Sequence, residues 1–197
     1  MSRASVPVRI PAAEPNHTFS IDLEAIKARA RAHIDEGAVT EGNQGDRRTI
    51  IKLLNDSLAT ELVCVLRYRN HHFMSASIGG IAGFAVTGEL LQHSQEELAH
   101  VDQLANRITQ LGGQPDFAPG TLATRSHADY AVSDSLRGML TEDLVAERIA
   151  IETYTSIIRF VGEKDPTTRR VFEAILAQEE EHADELADFL KRLPIDD

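Results

Sequence analysis

The chain has 197 residues, 42% of them apolar and 26% charged, which suits one domain or one domain with an appendage. Its net charge is −11 and no block of Lys and Arg rises above the acidic background, which excludes nucleic-acid binding through phosphate contacts. No apolar stretch reaches the ~20 residues that a membrane-spanning helix needs.

Residues 1–19 contain three prolines and little periodicity, and read as a loosely docked arm. The opening MSRASVPVRIPAAEP lacks the apolar core of a signal peptide, so the expected location is cytoplasmic. From Ser20 or Asp22 to about Glu36 the spacing predicts a short accessory helix that stops at Gly37, followed by the loop GAVTEGNQG. Residues 1–45 are therefore read as an N-terminal arm with a short accessory helix, and residues 46–193 as a four-helix bundle.

The first long helix is predicted from about Asp46 to Met74 or Ser75, with Ile50, Ile51, Leu54, Leu58, Leu62 and Val65 as its apolar stripe. The glycine-containing SASIGGIAG is expected to turn the chain. The second helix should run from about Phe84 to Leu111 and stop at Gly112-Gly113, and the third from about Ser133 to Val161, stopping at Gly162. Asp165 is a good N-cap and Pro166 a good first residue for the fourth, which should end near Leu193, before Pro194.

The first two helices and the last two are joined by short connections and should form antiparallel hairpins. Between the hairpins lies GGQPDFAPGTLATRSHADYA. A ~28-residue helix is ~42 Å long, and twenty extended residues reach at most ~66–72 Å. The connection can therefore cross the whole bundle and start the third helix parallel to the second. The expected fold is all-α: a ferritin-like four-helix bundle with one long crossover.

Two segments carry Glu-x-x-His, at Glu97/His100 and Glu179/His182, one in the second helix of each hairpin. Residues three apart share a helix face, so each pair can present a carboxylate and an imidazole to one ion. Glu61 interrupts the apolar stripe of the first helix and Glu147 that of the third. A buried carboxylate is costly without a partner, and a metal would offset that cost. One Glu from each of two helices and Glu-x-x-His from each of the other two is the ligand set of di-iron and di-manganese carboxylate bundles. In this reading Glu97 and Glu179 bridge two ions, Glu61 and His100 complete one, and Glu147 and His182 complete the other. Oxygen-rich ligands with one imidazole per ion suit Fe, with Mn as the alternative, over Cu or structural Zn.

Around this set, Tyr68 and Asp143 are expected to hydrogen-bond each other across the first and third helices and to orient the ligands. Tyr68 is also a candidate electron donor. His93 reads as a surface histidine near the mouth of the site. His17, His33, His71, His72 and His127 have no partner spacing and read as structural or exposed. Cys64 is the only cysteine, flanked by apolar residues, and reads as a buried thiol.

Through ATELVCVLRY, EELAHVDQLANRI, EDLVAERIAIETY and QEEEHADEL, the stretch from about Thr49 to Lys191 resembles the bacterioferritins. The family's ligand positions fall on Glu61, Glu97, His100, Glu147, Glu179 and His182, with its tyrosine on Tyr68 and its aspartate on Asp143. The resemblance implies a ferroxidase: two Fe²⁺ bind, O₂ or peroxide oxidises both, and Fe³⁺ passes to a mineral core inside a homo-oligomeric cage. In the small Dps-type cages the iron site lies between subunits and lacks this Glu/His set, which favours an intrasubunit centre here. Bacterioferritins bind haem through a methionine directly after the second-helix glutamate. Here that position is Leu98, so no haem is expected. Two further readings stay open: a non-storage diiron or dimanganese oxidase or peroxide-disproportionating enzyme, and a non-catalytic helical interaction protein.

Overall fold

The computed structural model describes residues 19–78 and 80–193. Residues 1–18 of the expected arm, with His17, and the stop at Pro194 lie outside them. The chain divides into two compact units at Asp35/Glu36. The first contains α1, Leu23–Ala32, whose N-cap Asp22 accepts from the Ala25 amide.

The second unit contains α2 (Arg47–Ile78), α3 (Gly80–Gln110), a 3-10 turn (Pro119–Thr121), α4 (Leu122–Arg125), α5 (Leu136–Val161) and α6 (Pro166–Arg192). No described residue is in a strand. It also takes in residues 36–45, ahead of the first long helix. Val39 is buried in the core, the Gln44 amide donates to the Lys164 carbonyl, and Gly45 sits tightly against Ile50 and Asp165.

The helix ends follow from local chemistry. Gly112 and Gly162, just past α3 and α5, have positive φ of 76° and 54°, a conformation side chains resist. Asp165 caps α6 by accepting from the Thr168 amide, with Pro166 in the first turn. SASIGGIAG behaves differently from expectation: α2 extends through Ile78 and α3 begins at Gly80. The two helices approach so closely there that a Cβ on Gly83 would lie 3.2 Å from the Ser75 carbonyl oxygen. Glycine here permits close packing more than it breaks helix.

The crossover is not structureless. It lies along α2, against which α4 packs. Asn55 donates to the Gln114 carbonyl and accepts from the Asp116 amide, while Arg125 donates to the Asn55 carbonyl. Further along, the His127 amide donates to Thr60 and Arg67 donates to the Asp129 carbonyl. The segment thus travels in the direction of α2, and α5 starts parallel to α3.

The core is in two parts. One holds Ile50, Leu54, Leu58, Leu104, Ile108, Tyr154 and Phe172; the other holds Cys64, Tyr68, Val86, Leu90, Leu140 and Leu186. On each of the four long helices a buried glutamate falls between the two parts: Glu61, Glu97, Glu147 and Glu179. A polar layer therefore crosses the middle of the bundle. No described helix is long and apolar enough to cross a membrane.

Candidate metal centre

All six sequence-selected residues meet in that layer, each no more than 2% exposed. Donor atoms of Glu61, Glu97, His100 and Glu179 lie within 4.8 Å of one another, and so do those of Glu97, Glu147, Glu179 and His182. The two groups share Glu97 and Glu179, the geometry of a pair of ions held between common carboxylates.

Both imidazoles aim Nδ1 inward. His100 Nδ1 is 3.2 Å from carboxylate oxygens of Glu97 and Glu179 and 3.4 Å from Glu61. His182 Nδ1 is 3.2 Å from Glu97 and 3.4 Å from Glu179. The other ring nitrogens face acceptors: His100 Nε2 is 3.0 Å from Gln178 Oε1, and His182 Nε2 is 2.9 Å from Glu96 Oε2. With the proton on Nε2, each Nδ1 lone pair points at the shared carboxylates, as a ligand's should. Glu97 Oε1, both Glu179 oxygens and His182 Nδ1 are buried with no hydrogen-bond partner. Native interiors rarely leave such atoms unmatched, and here four converge on one point. The donor set fits two divalent ions.

The electrostatics tell the same story for the metal-free site. Burial, reinforced by the charge of Glu97, pushes Glu61 up to about 8. Burial also holds Glu147 well above the usual carboxylate range, with Glu97 and Glu179 adding repulsion. Burial works against protonated histidine, but the Glu179 and Glu97 carboxylates facing its ring push His182 up to about 11. His100 is raised too, against burial, by Glu179, Glu61 and Glu97. Burial and the charge of Glu179 would raise Glu97, yet the close approach of Glu61, His100 and His182 leaves it lowered. Without metal, protons supply the positive charge that four packed carboxylates need.

A family model described as the ferritin-like domain matches residues 51–195. The bacterioferritin of Streptomyces coelicolor is 31% identical over 145 residues, covering 73% of this chain and 80% of the relative. The chain belongs to the ferritin-like family, in its bacterioferritin-like branch. Bacterioferritin of Desulfovibrio desulfuricans is 27% identical over 143 residues, or 72% of this chain and 74% of that protein. Among solved structures, the dodecameric thioferritin of Bacteroides fragilis, a bacterioferritin-related protein, superposes with a TM-score of 0.71 at 30% identity, covering 75% of this chain and 88% of that one. Mycobacterium tuberculosis bacterioferritin BfrA gives 0.65 at 28%, covering 75% and 87%.

Other parts of this bacterioferritin-like site differ from the sequence reading. The Tyr68 hydroxyl donates to Glu147, not to Asp143. Asp143 is bound instead by Arg67 Nε at 2.8 Å and by His71 Nδ1 at 2.9 Å, all three side chains being buried. His93 is not on the surface: it is fully buried, stacked on His182 with ring centroids 4.2 Å apart, and edge-on to Tyr68. Sequence reading missed Tyr154, whose hydroxyl donates to Glu61, as well as Gln178 and Glu96.

A signal for all three was present. Glu61 and Tyr68 are seven residues apart, as are Glu147 and Tyr154. Glu96 and Gln178 each directly precede the glutamate of a Glu-x-x-His. The hairpins are thus two-fold related, and each tyrosine and each preceding residue serves a ligand on the other hairpin.

Proposed function

We propose that the chain is a ferroxidase that oxidises Fe²⁺ to Fe³⁺ with O₂ or peroxide at an intrasubunit diiron centre, in iron storage or detoxification. The convergence of unpartnered carboxylate oxygens and imidazole nitrogen between Glu97 and Glu179 carries this reading. Glu97 and Glu179 would hold both ions, Glu61 with His100 would complete one and Glu147 with His182 the other. Two Fe²⁺ held side by side supply the electrons that reduce the oxidant.

The remaining work is done by the chain's own groups. The Tyr68 and Tyr154 hydroxyls fix Glu147 and Glu61. Gln178 and Glu96 fix the imidazoles with Nδ1 inward. Loading expels the protons that the metal-free cluster holds. The apolar core on either side keeps water from the layer. Haem has no part in the reading, since Leu98 offers no lone pair to an axial position.

As in the dodecameric relative, the chain is taken to form a homo-oligomer. Particle mass and iron load separate a storage cage from a small non-storage oxidase. The direct test is stopped-flow Fe²⁺ oxidation. Glu97→Ala removes the charge shared by both ions and should abolish the fast phase while leaving the helical fold intact. Unchanged oxidation kinetics in that variant would rule out the centre.

A further inference from the structure

We propose that Glu89, His93 and Glu185 bind a third divalent transition-metal ion, separate from the pair between Glu97 and Glu179. His93 Nε2 faces a gap between two carboxylates, 2.9 Å from Glu185 Oε2 and 3.7 Å from Glu89 Oε1. Donor atoms of the three residues lie within 4.8 Å of one another. Glu89 and His93 are four apart on α3 and share its face; Glu185 is three beyond His182 on α6. The cluster lies one to two helical turns from Glu97 along α3.

Several observations point to a cation. His93 is fully buried, which is unusual for a histidine without a task. Its Nε2 shares a proton with Glu185 Oε2, the proton a cation at this position would replace, and its buried Nδ1 has no hydrogen-bond partner. Glu89 is raised by burial and then by the charge of Glu185, so the two carboxylates repel across the gap. The basic residues at hand are already engaged: Lys191 and Arg192 pair with Asp188 at 2.9 and 3.7 Å. A pocket of about 200 Å³ lined by Glu89, Glu185, Asp188, Phe189 and Arg192 opens the cluster to solvent. One imidazole with two carboxylates suits Fe²⁺, Mn²⁺, Co²⁺ or Zn²⁺, whereas Ca²⁺ and Mg²⁺ prefer oxygen alone. An ion here would be one stacked ring away from His182.

The site does not depend on the ferroxidase reading, and one experiment separates the two. Crystals of the full chain are soaked in Co²⁺ and anomalous peaks located, with the binding count measured by calorimetric titration. The expected result is a peak bounded by Glu89, His93 and Glu185, in addition to two between Glu97 and Glu179. The Glu89→Gln/Glu185→Gln double variant should lose that peak and one Co²⁺ equivalent per chain while keeping the other two. A wild-type crystal with no peak at Glu89, His93 and Glu185 overturns the proposal, and so does an unchanged count in the double variant. A peak there without the central pair would support it and sink the diiron centre instead.

Discussion

Raising the pH from 6 to 8 should destabilise the metal-free protein. The Glu61 carboxyl is held at about 8 in the fold, against an ordinary value of 4.5. Between those values the folded chain keeps a proton that the unfolded chain has lost, so stability falls as pH rises. One such group is worth about 1.4 kcal/mol per pH unit, so the step removes on the order of 2–3 kcal/mol. His182, raised from 6.5 to about 11, has the same sign: its contribution is complete below 6.5 and is lost as pH climbs towards 11. Glu147 and His100 are also raised and add in that direction. Glu97 is lowered, so its contribution is lost only on acidification below its ordinary 4.5, outside this window. For a chain of this length ~2–4 °C accompanies each kcal/mol, which gives a fall in Tm of roughly 5–10 °C.

Metal should reverse the slope. The ligands must shed their protons to bind, so affinity and the stabilisation it brings both grow with pH. The assay is calorimetry of chelator-treated protein at pH 6, 7 and 8, with and without excess Co²⁺. A metal-free Tm that stays flat or rises with pH, or two parallel curves, would refute the reasoning.

Two other outcomes follow from the packing. Gln178→Ala removes the acceptor of the His100 Nε2 proton and should weaken Co²⁺ binding at one of the two central positions by ~10–100-fold, read by titration. Arg107→Ala removes the cation from buried Asp165, whose carboxylate oxygens both accept from Arg107 and which also caps α6; urea unfolding should show a loss of roughly 3–5 kcal/mol. A loss below ~1 kcal/mol would show that the pair contributes little.

The ligand glutamates were legible because each interrupts an apolar stripe at helical spacing, and the Glu-x-x-His pairs because three-residue spacing fixes a shared face. Partners across helices were harder to see, since they depend on how antiparallel neighbours align. On α2 and α5, Tyr68 stands opposite Glu147 and Tyr154 opposite Glu61. In that register Asp143 lies nearly a turn beyond Tyr68 and meets His71. The expected Tyr68–Asp143 bond put both residues on the right faces at mismatched heights. His93 looked like a surface residue because nothing near it in sequence reveals that α6 covers it with His182 and Glu185. The crossover's length was readable, but its attachment to Asn55 and Thr60 was not, because single polar residues on a helix face do not announce a loop as their partner.

One of the places where the two-fold relation between the hairpins breaks is the matching pair Glu96 and Gln178. A carboxylate accepting an imidazole proton makes the opposite nitrogen a stronger electron donor than an amide oxygen does. His182 has the carboxylate and His100 the amide. In the proposed centre the two positions are therefore electronically unlike, and an ion beside His182 would sit in the more electron-rich half, where a trivalent charge would be better accommodated.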